Sequence, residues 1–289
     1  MIIREAYAQG SADLKFAGIN SPGLDASLLL AFVLKTTRTA LVGAGMEKIS
    51  EKDSIEFCKL IERRCNGECV AYIIGKKEFR GLEFEVNPSV LVPRPETETL
   101  VEAVIEKLGT RNLELGIRVL DLCTGSGAVA IALKHEVPEL EVFATDISEK
   151  ALETAKKNAA SLLPGNDIRF HQGDLYNALP DSLSLIPNFL FIVANPPYIP
   201  THEIETLSAE VQNEPFIALD GGESGLEIIK KIIDGALEYL VNGGSLFMEI
   251  YPNQEKEIQI LLEKKGFKDI QLFKDLSGSH RVIGGTYFE

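Results

Sequence analysis

From residue 117 to residue 250 the chain alternates short apolar runs with longer stretches of helical spacing, and that order limits the folds open to it. "IRVLDLC" precedes "SGAVAIALKHE", "EVFATD" precedes "SEKALETAKKNAA", and "IRFHQGD" and "FLFIVANPPY" follow. "GLEIIKKIIDGALEYL" then reads as a helix, "GGSLFMEI" as a strand, "QEKEIQILLEKKG" as a helix, and the tail from Phe267 as one or two strands. Repeated strand-then-helix order predicts a Rossmann-like α/β fold, a mostly parallel sheet covered on both faces. Ligands of such sheets bind at the carboxyl ends of the strands.

The chain before this region has a different texture. Residues 1–75 read as a small helical domain, with apolar residues at helical spacing in 3–17, 25–35 and 51–65. "NSPGLD" (20–25) makes a turn with Asp25 as the expected helix cap. "KEFRGLEFEVNPSVLVPRPETE" (77–98) alternates apolar and polar residues around Asn87-Pro88, which predicts a β-hairpin linker over 76–95. A further domain then covers 96–289. It opens on a helix with Pro95 in its first turn and Leu100, Val101, Val104, Ile105 and Leu108 on one side.

Charge narrows the partners. Residues 1–75 hold nine Lys/Arg and nine Asp/Glu, so the net charge of −14 lies wholly in the rest of the chain. No Lys/Arg-rich run is present to grip a phosphate backbone, and nucleic acid is not the expected partner. The start, "MIIREAYAQG", has neither the basic flank nor the apolar core of a signal peptide, and "ASLLLAFVL" (26–34) is too short to cross a bilayer. A cytoplasmic, non-membrane protein is expected. Cys58, Cys65 and Cys69 fall at spacings that suit one face of a helix, and with Cys123 they read as buried free thiols rather than metal ligands or disulfides.

"VLDLCTGSGAVA" (119–130) is a strand, a glycine turn and a helix start. Gly125 and Gly127 allow a sharp turn and a close ligand approach, and Gly125-x-Gly127-x-x-Ala130 also fits a dinucleotide fingerprint. Asp121, just ahead of the loop, would repel a pyrophosphate. It suits a cofactor carrying an ammonium and a sulfonium, S-adenosylmethionine. Asp146 ends the next strand, where an acid can take both hydroxyls of a ribose. Asp174, closing the third strand, is placed to reach the adenine amino group. A plain strand–helix turn and a solvated turn acid are the competing readings of these residues.

The fourth strand ends in "NPPY". Its prolines remove two donors and stop the strand, and they hold Asn195 extended. The Asn195 side-chain oxygen and the Pro196 carbonyl then form two acceptors, a match for the two donors of an NH2 group. An amide or aromatic amine nitrogen is a poor nucleophile, so holding both its N–H bonds positions it and favours its pyramidal transition state. Tyr198 would cover a planar acceptor with its ring. A proline-rich strand terminator with an exposed tyrosine is the alternative.

These residues together resemble the class I S-adenosylmethionine-dependent methyltransferases, and more narrowly the release-factor glutamine N5-methyltransferases. The likeness includes "YIIGKKEFRGLEFEV", "VLVPRPETETLVE", "DLCTGSGAVAIAL", "NPPYI", "EVQNEPFIALDGGESGL", "EI…NQ" and "DLSGSHRV". "NPPY" alone is shared with enzymes that methylate base amino groups, whereas "PRPETE" is far more specific. The resemblance implies methylation of the glutamine in the Gly-Gly-Gln loop of peptide-chain release factors, with the N-terminal domain helping to dock them and the enzyme acting as a monomer. It implies that Asp121, Cys123, Thr124, Gly125, Ser126, Gly127, Asp146, Asp174, Leu175 and Asn195 line the cofactor. Asn195, Pro196, Pro197 and Tyr198 would hold the glutamine amide. Cys123 and Tyr251 stand where glycine is common in relatives, and Cys69 where proline is. Three other functions stay in view: a base amino-group methyltransferase, a nicotinamide-dependent oxidoreductase and a non-catalytic adaptor.

Overall fold

The computed structural model describes residues 1–109, 116–165, 167–184 and 189–289. The chain divides into two compact units, Met1–Lys76 with Ser208–Asn213, and Lys77–Leu207 with Glu214–Glu289. Among the described residues no helix is long and apolar enough to cross a membrane.

The first unit is helical: α1 Ile3–Phe16, α2 Pro22–Val33, α3 Arg38–Gly43, α4 Glu51–Cys65 and α5 Val70–Ile74. Its core joins Leu14, Leu29, Leu30, Phe57, Leu60 and Ile61, all buried. Asp25 is not the cap of α2. Pro22 occupies the first helical turn, so the helix starts earlier, after Ser21, and Asp25 falls inside it. There it is 4% exposed and accepts from Arg64 Nε at 2.7 Å. Arg64 Nη2 also donates to Glu210 Oε2 at 2.7 Å, which ties in the short helix α10, Ala209–Gln212. The three cysteines do not share a helix. Gly67, at φ 90°, follows the end of α4, and Cys69 becomes the N-cap of α5, its Sγ accepting from Tyr72 N. Cys69 is buried, but Cys58 is exposed.

The second unit opens on a hairpin, β1 Lys76–Phe79 and β2 Leu82–Glu85, which turns at Arg80-Gly81 rather than at Asn87-Pro88. A two-residue turn between twisted strands favours positive φ at both central residues. Arg80 and Gly81 take 49° and 75°, whereas proline is locked near −65°. Asn87 instead folds its own loop, accepting from Ser89 N and donating to Thr154 Oγ1 at 2.9 Å each.

A 3-10 turn at Pro95–Thr97 leads into α6, Glu98–Gly109. Then come β3 Arg118–Leu122, α7 Ala128–Glu136, β4 Glu141–Asp146, α8 Glu149–Leu162, β5 Arg169–Gln172, α9 Asp181–Ser184 and β6 Phe189–Ala194. After the "NPPY" segment follow α11 Glu227–Tyr239, β7 Leu240–Glu249, α12 Glu255–Lys265, β8 Lys268–Lys274 and β9 His280–Thr286. The main sheet has the order β5-β4-β3-β6-β7-β9-β8. The first five of these are parallel, and β9 runs antiparallel to both its neighbours.

Strand periodicity sorts the core into two layers. Val119, Phe191, Val193, Phe247 and Val282 meet Leu100, Val104 and Ile131 on one face. Leu120, Leu122, Ile192, Leu246, Met248 and Ile283 meet Ile229, Ile232 and Ile258 on the other. Each such side chain contributes about 1.5–3 kcal/mol by leaving water, which is why the central strands are apolar on both sides. The chain progresses from β3 outward to β5, then returns to the far side of β3 with β6. That reversal opens a crevice at the carboxyl ends of β3 and β6.

In the helical unit, Arg64→Leu leaves Asp25 buried without its partner. A loss of about 3–5 kcal/mol is expected in chemical denaturation. Adding Asp25→Leu should restore most of it.

Candidate active site

The crevice contains a cavity of about 290 Å³. Leu122 pairs with both Thr145 and Ala194, so the loops that follow β3, β4 and β6 start level with one another. Asp121, Cys123, Thr124, Gly125, Ser126, Asp146, Asp174, Leu175, Asn195 and Pro197 all line the cavity. Three of the expected site residues do not: Gly127, Pro196 and Tyr198.

The loop after β3 is held by its carboxylates. Asp121 is 1% exposed and accepts from Thr124 Oγ1 at 2.6 Å. Burial pushes its carboxyl up to about 7, with the Thr124 hydroxyl and the Ala130 backbone opposing and the charge of Asp146 adding. Asp146 accepts from Gly125 N at 2.8 Å through Oδ2 and from Ser148 N at 2.9 Å through Oδ1. Burial raises this carboxyl too, against those backbone donors. Gly127 starts α7 at φ 82°, and a Cβ there would meet Ile131 Cδ1 at 2.9 Å. Its place is behind the loop, where α7 closes onto α8.

Cys123 takes φ 58°, a left-handed conformation that costs an L-residue about 1–2 kcal/mol. Burial, then the charges of Asp146, Asp121 and Asp174, push the Cys123 thiol well up, so it stays protonated and unreactive. Asp174 lies beyond the end of β5, leading the 3-10 turn Leu175–Ala178, with Lys231 Nζ at 3.8 Å. Thr145 Oγ1, also on the cavity, is buried without a hydrogen-bond partner.

The "NPPY" end is braced from several sides. Asn195 Nδ2 donates to Thr97 Oγ1 at 3.1 Å, which fixes the amide. Tyr198 turns its hydroxyl to Glu249 Oε1 at 3.0 Å and stacks on Tyr251, with ring centroids 5.8 Å apart. Burial holds its phenol well above the ordinary value, with the charge of Glu249 adding, so Tyr198 is no proton acceptor. Gln254 Nε2 donates to the Tyr198 and Gly225 carbonyls. Ile199 and Leu219–Gly221 exchange backbone bonds of 3.0 and 2.9 Å. The "GGESG" loop is therefore a close-packed brace as well as the turn before α11: a Cβ on Gly225 would strike the Tyr198 carbonyl. Arg94 pairs with buried Glu214, joining "PRPET" to the segment whose Pro215, Ile217 and Ala218 line the cavity.

Thr97, Gln254 and Lys231 are additions to the residues expected from sequence, whereas Glu249, a strand-ending acid that reads equally as a core acid or a supporting group, is settled as the partner of Tyr198. Thr97 and Gln254 lie within "PRPETE" and "EI…NQ", so those motifs were the available signal. Nothing in sequence marks Lys231.

Residues 5–75 match the family model described as PrmC N-terminal domain, and residues 97–213 that described as Methyltransferase small domain. The chain is 40% identical over 260 residues to a release factor glutamine methyltransferase of Thermodesulfovibrio yellowstonii, covering 90% of each. To one of Clostridium botulinum it is 36% identical over 284 residues, covering 98% of each. Among solved structures the hMettl16 catalytic domain in complex with an RNA hairpin aligns with a TM-score of 0.60, at 15% identity, covering 96% of this chain and 92% of that one. At that identity the likeness concerns the fold alone.

Asp121 provides a pH signature. Its ordinary carboxyl value is about 3.9 and the native one about 7. Between those values the unfolded chain releases a proton that the native protein keeps. Stability therefore falls as pH rises through this window, by up to about 1.4 kcal/mol per pH unit, and levels off above it. Asp121→Asn should flatten this slope in denaturation series from pH 4 to 8.

Proposed function

The chain belongs to the release factor glutamine methyltransferases, and we propose that it methylates the N5 amide nitrogen of the glutamine in the Gly-Gly-Gln motif of peptide-chain release factors, using S-adenosylmethionine. The observation that carries this reading is the orientation of Asn195. With Nδ2 donated to Thr97, its Oδ1 is left as an acceptor at the cavity.

The residues present fit S-adenosylmethionine. Asp121 supplies a buried anion for a cationic ligand, and a positive group beside it would hold that carboxyl ionised. Asp146, fixed by Gly125 and Ser148, keeps lone pairs for ribose hydroxyls. Asp174 and Leu175 line the same cavity and would hold the adenine end, and the unpartnered Thr145 hydroxyl offers one more polar contact. Bound S-adenosylmethionine supplies an electrophilic methyl group on a sulfonium.

The protein's own part is positioning. Asn195 Oδ1 accepts one N–H bond of the glutamine amide at the cavity, with Pro197 beside it on the wall; the Pro196 carbonyl, although its residue is not among those lining the cavity, is the acceptor for the second. Those bonds hold the nitrogen in line and strengthen as positive charge develops on it. No general base is needed, because the nitrogen becomes acidic once methylated. The Tyr198 phenol stays protonated, anchored on Glu249, and braces the strand end behind the cavity.

Methylation of a nucleic-acid amino group uses the same tetrapeptide chemistry. The net charge of −14 and the relatives' identity over nearly the whole chain favour the protein substrate. A release-factor substrate would place the enzyme in the cytoplasm, and nothing in the chemistry requires more than a monomer.

Purified protein incubated with S-adenosylmethionine and either release factor or RNA tests this. One methyl group on one glutamine is expected, with RNA unlabelled; the reverse result rejects the proposal. Asn195→Ala should lower kcat by about 100-fold or more, while calorimetric cofactor affinity changes far less. An adaptor would show no turnover to lose.

A further inference from the structure

Pro215, Ile217 and Ala218 line the cavity, and the 3-10 turn Phe216–Ala218 holds two large apolar side chains out into water there. Phe216 is 57% exposed and Ile217 53%. Apolar residues exposed singly are ordinary on a protein surface. Phe16, Val42, Met46 and Leu276 are exposed too, but none of them lines the cavity. Phe216 and Ile217 differ in being adjacent and in standing at its mouth.

Their exposure is imposed by the backbone. The Phe216 carbonyl accepts from Leu219 N and Asp220 N at 3.0 Å each, and the Pro215 carbonyl from Ala218 N at 2.9 Å. On one side of the turn, buried Glu214 pairs with Arg94. On the other, Asp220 Oδ1 accepts from Thr201 Oγ1 at 2.6 Å and from Gly222 N at 3.0 Å. A turn pinned at both ends has little freedom to fold these side chains inward, so covering them is left to a partner.

Charge indicates which partner. Residues 201–223 contain six acids, Glu203, Glu205, Glu210, Glu214, Asp220 and Glu223, and no Lys or Arg. Arg64 and Arg94 match Glu210 and Glu214, and the stretch itself has no basic residue to offset the others. The cavity wall adds Asp146 and Asp174, with Lys231 opposing them. Such a surface repels a phosphate backbone and attracts a peptide with basic residues.

We propose that Phe216 and Ile217 form a docking rim for the peptide that carries the methyl-accepting glutamine, and that basic residues flank that glutamine. The inference deepens the proposed methylation of release factors and rests on it for the partner's identity. A glutamine carried on a loop reaches Asn195 with its flanking backbone lying across the cavity mouth, where Ile217 stands. The apolar pair gives that backbone a surface free of water, and the acids orient it. The rim therefore governs capture, whereas Asn195 governs the chemical step.

Phe216→Ser is the decisive variant, because truncating an exposed side chain leaves the fold intact. It should raise KM for release factor about 10-fold, with kcat at saturation, cofactor affinity and melting temperature little changed. Ile260→Ser, which alters a comparably exposed residue on α12, should match wild type. Binding of synthetic Gly-Gly-Gln peptides flanked by Lys or by Glu, read by fluorescence anisotropy, tests the charge. The Lys-flanked peptide should bind more tightly, and the difference should shrink in Glu223→Lys and at high salt. A wild-type KM in Phe216→Ser overturns the proposal, as does equal binding of the two peptides. A loss of RNA binding in that variant with peptide binding intact also overturns it, by assigning the rim to nucleic acid. If wild type leaves release factor unmethylated, yet binds the Lys-flanked peptide more tightly than Phe216→Ser does, the methylation reading fails and the rim stands. If neither protein binds that peptide, both fail.

Discussion

The parallel pairing of β3 with β6, set by the return of the chain across the sheet, is the constraint on which the site depends. Val119, Leu120, Asp121 and Leu122 stand opposite Phe191, Ile192, Val193 and Ala194. A slip of one residue would turn the apolar side chains of either strand to the wrong layer, so the register is held by both cores at once. Because it is held, the loop beginning at Cys123 and the segment beginning at Asn195 emerge side by side. The same logic extends to β7, whose pairing with β6 brings Glu249 beside the "NPPY" end.

Much of the polar chemistry is built on that frame at a cost to local structure. Asp121, Asp146 and Glu249 are all carboxyls that burial pushes upward, and Cys123 and Leu175 take left-handed backbone at 58° and 50°. Strain and desolvation of this kind persist only where the surroundings over-determine them. Here the surroundings are strand ends pinned by apolar layers on both faces. They leave the loops little freedom to relax and, on the proposed reading, keep Asn195 Oδ1 aimed before a substrate arrives. Preorganised acceptors are what a weak amide nucleophile requires.

The residues that could be named from sequence share a property: each lies in a short motif whose chemistry is local. Asp121 and Gly125 belong to one strand–turn–helix, and Asn195 and Pro196 to one tetrapeptide. Of the expected site, Tyr198 is the member whose surroundings local reasoning could not supply, because its hydroxyl is claimed by Glu249, 51 residues away. Thr97 was hidden more deeply, meeting Asn195 across 98 residues of chain. The same limit explains the misplaced hairpin turn and the misread Asp25. Asn-Pro is a good turn signal, yet Arg80-Gly81 has the backbone freedom a tight hairpin needs. Asp25 looks like a cap until Arg64, 39 residues away, is folded against it.

Sequence by itself determined the α/β order, the two loops whose residues line the cavity, and the kind of chemistry their residues can perform. These follow from periodicity, glycine and proline stereochemistry, and side-chain functional groups, all of which act over a few residues. Only the tertiary structure decided which way the Asn195 amide faces, what Glu249 is paired with, and how Asp121 holds its proton. Those properties depend on burial and on partners brought from distant parts of the chain. Hydrogen-bond direction and desolvation are fixed only when the strands carrying those partners have taken their places in the sheet.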